Sequence, residues 1–150
     1  MIARDVMTRK PKTVPPDATI TAAADIMQES EVGLLPVVDD PHTMHVVGVI
    51  TDRDITVRCT AHGHDPRSCT VGDHMTRPPL VTVHGDTEID AVIDAMTRGQ
   101  VRRVLVVSGK DRLHGVLTLA DLGAKLGHWA PAKVGRALEH VALPVVTDAR

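Results

Sequence analysis

Apolar positions along this chain alternate between two rhythms, and the whole alternation occurs twice. After the polar stretch Asp17-Ala18-Thr19, the residues Ile20, Ala23, Ala24 and Met27 recur at the spacing of one helix face and predict a short amphipathic helix. Two Val-rich runs follow, Leu34 to Val38 and His45 to Ile50, which read as strands paired across a turn, and Asp52 to Thr60 reads as a second helix. The order then returns: a helix from about Glu88 to Met96, strands Arg103 to Val107 and Leu113 to Leu117, and a helix from Leu119 to about Leu126. A short strand opens each copy, near Thr13-Val14 and near Val81-Thr82-Val83. Beyond the second copy, Pro131 and the pattern Val134, Ala137, Leu138, Val141 predict one extra helix without a counterpart.

The doubling extends to individual residues. Asp5-Val6-Met7-Thr8 returns as Asp73-His74-Met75-Thr76, Ala22 to Met27 returns as Ala91 to Met96, and Gly48-Val49-Ile50-Thr51-x-x-Asp54 returns as Gly115-Val116-Leu117-Thr118-x-x-Asp121. The shift shortens by two residues where Asp39 to Met44 faces Ser108 to Asp111, as expected of a hairpin turn. The organisation is therefore a first motif over 3–60, a connector over 61–72, a second motif over 73–126, and a C-terminal helix and tail over 127–150. Units this small have an apolar face they cannot bury alone, so the copies are expected to pack on each other and to carry paired sites.

Composition narrows the function. With 17 basic against 19 acidic residues and no long basic run, the footprint of a nucleic-acid binder is missing. No apolar stretch approaches the roughly 20 residues that span a bilayer, and the N-terminus is not a signal peptide, which predicts a cytoplasmic protein without a membrane partner. Trp129 is the whole of the aromatic content, so a bound heterocycle would be held by aliphatic walls. No nucleophile elbow, phosphate-binding P-loop or His-Glu-x-x-His motif is present, and the chain is not expected to be an enzyme.

The doubled order of elements, the two Asp-x-Met-Thr openings, Val32-Gly33-Leu34-Leu35-Pro36-Val37-Val38 against Val101-Arg102-Arg103-Val104-Leu105-Val106-Val107, and the two Thr-x-x-Asp ends together resemble a tandem CBS-domain pair, or Bateman module. The resemblance covers about residues 3 to 126. It implies an α/β fold of two βαββα motifs packed sheet to sheet with pseudo-twofold symmetry, in a stand-alone bacterial regulatory protein that senses energy state. The implied regulatory ligand is AMP, ADP or ATP, held in one or both clefts between the motifs, with no catalytic cofactor. In the family the Asp of each motif holds ribose hydroxyls and the Thr lies beside ribose or phosphate, which points to Thr51 and Asp54 in one copy and Thr118 and Asp121 in the other. The adenine would lie against Thr13, Val14, Leu34, Leu35 and Pro36, or against Val81, Thr82, Val104 and Leu105. Arg102, Arg103 and Arg53 would meet phosphate through their planar forks. A homodimer and an effector protein are the implied partners, with apolar Ile55, Val57, Leu122 and Leu126 as candidate dimer contacts.

Two plainer readings stand beside this one. Ser/Thr-x-x-acid is also the spacing of a helix capping box, so each Thr-x-x-Asp can be purely structural, and the Val and Leu residues can be plain core. The cluster Cys59-x-x-His62-x-His64-x-x-x-x-Cys69, with His74 beyond, offers zinc ligand types without a closed zinc motif. Free thiols, a Cys59 to Cys69 disulfide, and a redox or zinc-responsive site on Cys59, His62, His64 and Cys69 remain open, as does a dimerisation module with vestigial ligand sites.

Overall fold

The computed structural model describes residues 1–128 and 130–142; Trp129 and the tail from 143 lie outside the described residues. The chain forms two compact units. One contains Met1–Arg9, Val81–Ser108 and the described residues from His114 to Ala142, and the other contains Lys10–Leu80 with Gly109–Leu113. These units do not follow the boundaries of the sequence repeat. Each Asp-x-Met-Thr opening belongs to the unit built on the other copy.

In the unit built on copy one, the openings and strands appear in the predicted order. Helix α2 (Ile20–Ser30) starts where Thr19 Oγ1 accepts from the Ala22 amide at 3.1 Å, and it buries Ile20, Ala23 and Met27. Strands β2 (Leu34–Val38) and β3 (Val46–Thr51) pair antiparallel from Leu34↔Thr51 to Val37↔Gly48, with a bulge at Val37/Val38. Burial alternates residue by residue along β3, as a strand with one face in the core requires. The opening strand expected at Thr13-Val14 is reduced to one parallel bridge from Val14 to Val37, and Val49 bridges Thr76 on the other side. The helix expected over 52–60 is instead three pieces: an α-helical turn α3 (Asp52–Asp54), a π-turn over Ile55–Cys59 and a 3-10 turn over Thr60–His62. Helix α4 (Val71–His74) completes the unit and places Val71 and Met75 in its core.

The unit built on copy two repeats this plan around a four-stranded sheet. Helix α1 (Ala3–Val6) leads into β1 (Thr8–Arg9), followed in the chain by β4 (Thr82–His84), α5 (Ile89–Gly99), β5 (Arg103–Ser108), β6 (Arg112–Thr118), α6 (Leu119–Leu126) and α7 (Pro131–Ala137). The sheet order is β1-β6-β5-β4, with β1 antiparallel to β6 and β4 parallel to β5. The extra helix expected after copy two is α7, begun by Pro131 and continued by a π-turn over Leu138–Ala142. Its Val134 and Ala137 join Leu122 and Leu126 in one apolar cluster. Leu122 and Leu126 are consequently core residues, and the expectation that they supply a dimer contact is corrected: α7 already covers their side of α6. Val57 is exposed, and Ile55 packs partly against the core of its own unit, the one built on copy one.

Candidate functional sites

Both Thr-x-x-Asp sequences form closed capping boxes at a strand-to-helix junction. The Thr51 amide donates to Asp54 Oδ2 at 3.0 Å, and the Asp54 amide donates to Thr51 Oγ1 at 3.1 Å. In copy two the Thr118 amide and hydroxyl both donate to Asp121 Oδ2 at 2.8 Å, and the Asp121 amide donates to Thr118 Oγ1 at 3.1 Å. The reciprocal bonds satisfy free amides at each helix start and fix both carboxylates beside its positive end. All four residues are half-buried. The copies differ around the carboxylate. Asp54 Oδ1 lies 3.5 Å from Arg58 Nε, whereas in Asp121 two capping bonds converge on Oδ2.

The strand residues expected around a base divide by burial. Val14, Leu35, Pro36, Val104 and Leu105 are buried and serve as core, so only their backbone can meet a ligand. Thr13, Leu34 and Val81 are half-buried and Thr82 is exposed. Val14 spends its backbone on β2, donating to Pro36 O and accepting from Val38 N, both at 3.1 Å. Arg53 and Arg102 are exposed and Arg103 is half-buried.

A second constellation forms in the unit built on copy one. The ligand atoms of Cys59, Cys69 and His74 lie within 4.8 Å of one another. The π-turn and 3-10 turn carry Cys59 into the core at 0% exposure, where its thiol faces the His64 carbonyl at 3.7 Å. Cys69 enters from the connector, and α4 supplies His74, 6% exposed. Both cysteines are free thiols. His74 Nε2 is buried without a hydrogen-bond partner, a costly arrangement for a polar ring nitrogen. Burial first, and then the adjacent Cys69 sulfur, push the Cys59 thiol above its usual range; a coordinated cation would reverse that effect. The His64 ring stands beside His74, with centroids 5.3 Å apart, and His62 lies beyond it at 5.9 Å from His64.

His74 was the residue that sequence spacing did not place in this cluster. A signal for it exists in the repeat. His74 stands where the unit built on copy two has Val6, and Cys59 stands where that unit has Leu126, both of which are core residues there. Polar ligand types at positions that the same fold fills with Val and Leu mark a function added to one copy.

The CBS domain pattern matches residues 3–59 and 71–126. The chain belongs to the CBS domain family, with two copies of the domain in tandem. It is 36% identical over 136 residues to Hypoxic response protein 1 of Mycobacterium tuberculosis, covering 91% of this chain and 92% of that protein. A crystal structure of Hypoxic Response Protein I with two coordinated zinc ions is 35% identical, with a TM-score of 0.73, covering 83% of this chain and 98% of the other. A CBS domain pair solved in complex with 5′-methylthioadenosine and S-adenosyl-L-methionine is 29% identical, with a TM-score of 0.73, covering 85% of this chain and 97% of the other.

Proposed function

We propose that this protein is a regulatory module that binds an adenosine compound, AMP, ADP or ATP, at the Thr-x-x-Asp strand ends and passes the occupancy to an effector protein. The observation that carries this reading is the duplicated box itself, which holds a half-buried carboxylate in one orientation at equivalent places in both copies. A carboxylate fixed in this way accepts from the vicinal hydroxyls of a ribose, while amides at the helix start and the nearby Arg102 and Arg103 suit phosphate. The similar CBS domain pair solved with two adenosine compounds supports the ligand class. Copy two is the stronger site, because Asp54 Oδ1 faces Arg58 and copy two carries the adjacent Arg102 and Arg103 where copy one has Gly33 and Leu34. The module works as a homodimer, with Val57, 44% exposed, as an apolar contact candidate.

Thermal-shift and calorimetric titration with AMP, ADP, ATP and S-adenosylmethionine test this. A ligand at 100 times its dissociation constant stabilises the fold by about 2.7 kcal/mol, or several degrees. Asp121→Ala is expected to weaken binding by about 1 to 3 kcal/mol, with Asp54→Ala having the smaller effect. Asp121→Asn, which retains a capping oxygen but not the charge, separates loss of ligand from loss of the helix cap. Unchanged affinity in the double variant Asp54→Ala, Asp121→Ala would refute the ribose role.

A second reading is favoured by the Cys59, Cys69 and His74 cluster: a zinc ion held by these three, with the neighbouring His64 as a candidate fourth ligand. Two thiols and an orphaned imidazole nitrogen fit zinc better than any harder cation, and a structure 35% identical to this chain contains two zinc ions. Tag-free protein is expected to carry one zinc per chain, to lose it in Cys59→Ser, and to melt at lower temperature after chelation. Metal well below stoichiometric in protein purified without chelators would sink this reading.

A further inference from the structure

The unit built on copy two contains a cavity of about 410 Å³ at the hairpin end of its sheet, away from Thr118 and Asp121. Arg4 and Arg9 enter it from α1 and β1, His84 from the end of β4, and Ser108 and His114 from the facing ends of β5 and β6. The Arg4 guanidinium is oriented by Nε, which donates to Gly85 O at 3.2 Å, while Arg9 donates to Arg4 O at 3.4 Å. Ser108 Oγ and His114 Nε2 share a hydrogen bond of 2.6 Å. Asp86 is the one carboxylate in the lining, so the cavity is net positive even with both imidazoles neutral.

The repeat supplies a control for whether the fold needs these residues. The Arg4 amide donates to Gly85 O at 2.9 Å, and at the equivalent place in the unit built on copy one the Gly72 amide donates to Pro16 O at 2.8 Å. Arg77 donates to Gly72 O at 3.1 Å, as Arg9 does to Arg4 O. The backbone frame, one arginine and the turn aspartate (Asp17 for Asp86) are thus common to both units. The remainder is not: the unit built on copy one has Gly72 for Arg4, Pro15 for His84, Asp39 for Ser108 and Val47 for His114. The same architecture is built without these cations, so architecture does not account for them.

We propose that this cavity is an anion site for the phosphate group of a small phosphorylated molecule, separate from the Thr-x-x-Asp site. The Arg4 fork supplies paired donors to phosphate oxygens, His84 adds a ring N–H donor, and the Ser108–His114 pair, in which one member donates to the other, adds one further donor. The pocket is open to solvent, with Arg4, Arg9, His84 and His114 exposed along it, and its volume is within the range of small-molecule sites.

Inorganic phosphate and pyrophosphate, titrated by calorimetry into the full chain at fixed ionic strength, test the proposal. Saturable binding is expected, weakened at least about tenfold by Arg4→Ala and by His114→Val, the latter carrying the residue found at the equivalent position of copy one, and unaffected by Arg77→Ala, which removes the equivalent arginine of the other unit. In the unmodified protein the imidazole resonances of His84 and His114 should shift on phosphate addition while that of His45 does not, a readout independent of whether the variants fold. Absence of saturable binding, or equal binding by the Arg4→Ala and His114→Val variants, would overturn it. Equal binding by these two together with loss in Arg103→Ala would assign the phosphate to the adenosine site, and failure of that site leaves the present test intact.

Discussion

At the scale of single residues, Gly48 and Gly115 show what the two motif openings require. A Cβ on Gly48 would stand 2.7 Å from Met75 Sδ and 2.8 Å from Thr76 O; on Gly115 it would stand 2.6 Å from Met7 Sδ and 2.7 Å from Thr8 O. The methionine sulfur can move, but the carbonyl is fixed by pairing to the same strand, Thr76 to Val49 and Thr8 to Val116. Gly48→Ala and Gly115→Ala are each expected to destabilise the protein by about 1 to 3 kcal/mol, read as a lower denaturation midpoint at unchanged slope. Loss of less than about 0.5 kcal/mol in both would show that the approach is looser than this packing requires. The motif reads Gly-apolar-apolar-Thr-x-x-Asp, and its first residue is there for strand approach while its last two cap a helix.

At the scale of elements, what was legible in the sequence had a regular period and what was missed did not. The helices at 20–30 and 89–99 and both hairpins follow from apolar spacing, because one face of each is buried against one core. The short helices α1 and α4 were invisible as helices: four residues complete barely one turn, too few for a period. Their identity as a repeated segment was plain, but not their conformation. The π-turn over Ile55–Cys59 was missed for a related reason, since one extra residue in a turn changes which side chain faces inward without changing composition. The sequence view of the cluster takes Cys59, His62, His64 and Cys69 with His74 beyond, and the structural one keeps both cysteines and brings in His74 in place of His62 and His64. The carboxylates of the Thr-x-x-Asp motifs were legible because capping is a local interaction, fully specified within four residues.

At the scale of the whole molecule, the two compact units are not the two repeats. The unit built on copy one takes Val71 and Met75 into its core and pairs Val49 with Thr76, all from the opening of copy two. The unit built on copy two takes Ala3 and Val6 in the same way and pairs β1 with β6. Residues 1–70 expressed alone therefore lack part of a core and one sheet edge, and are expected to show no cooperative thermal transition, whereas co-expression with residues 71–150 restores one. A cooperative transition from 1–70 alone would mean that the exchanged segment is dispensable. This trade of openings also bears on how such a chain arises. A polypeptide with a single copy holds one opening segment and one unit that wants it from elsewhere, a deficit that a second identical molecule makes good. Joining two copies end to end turns that exchange between molecules into an obligation within one, after which each half is free to diverge, with His74 arising opposite Val6 and Arg4 opposite Gly72.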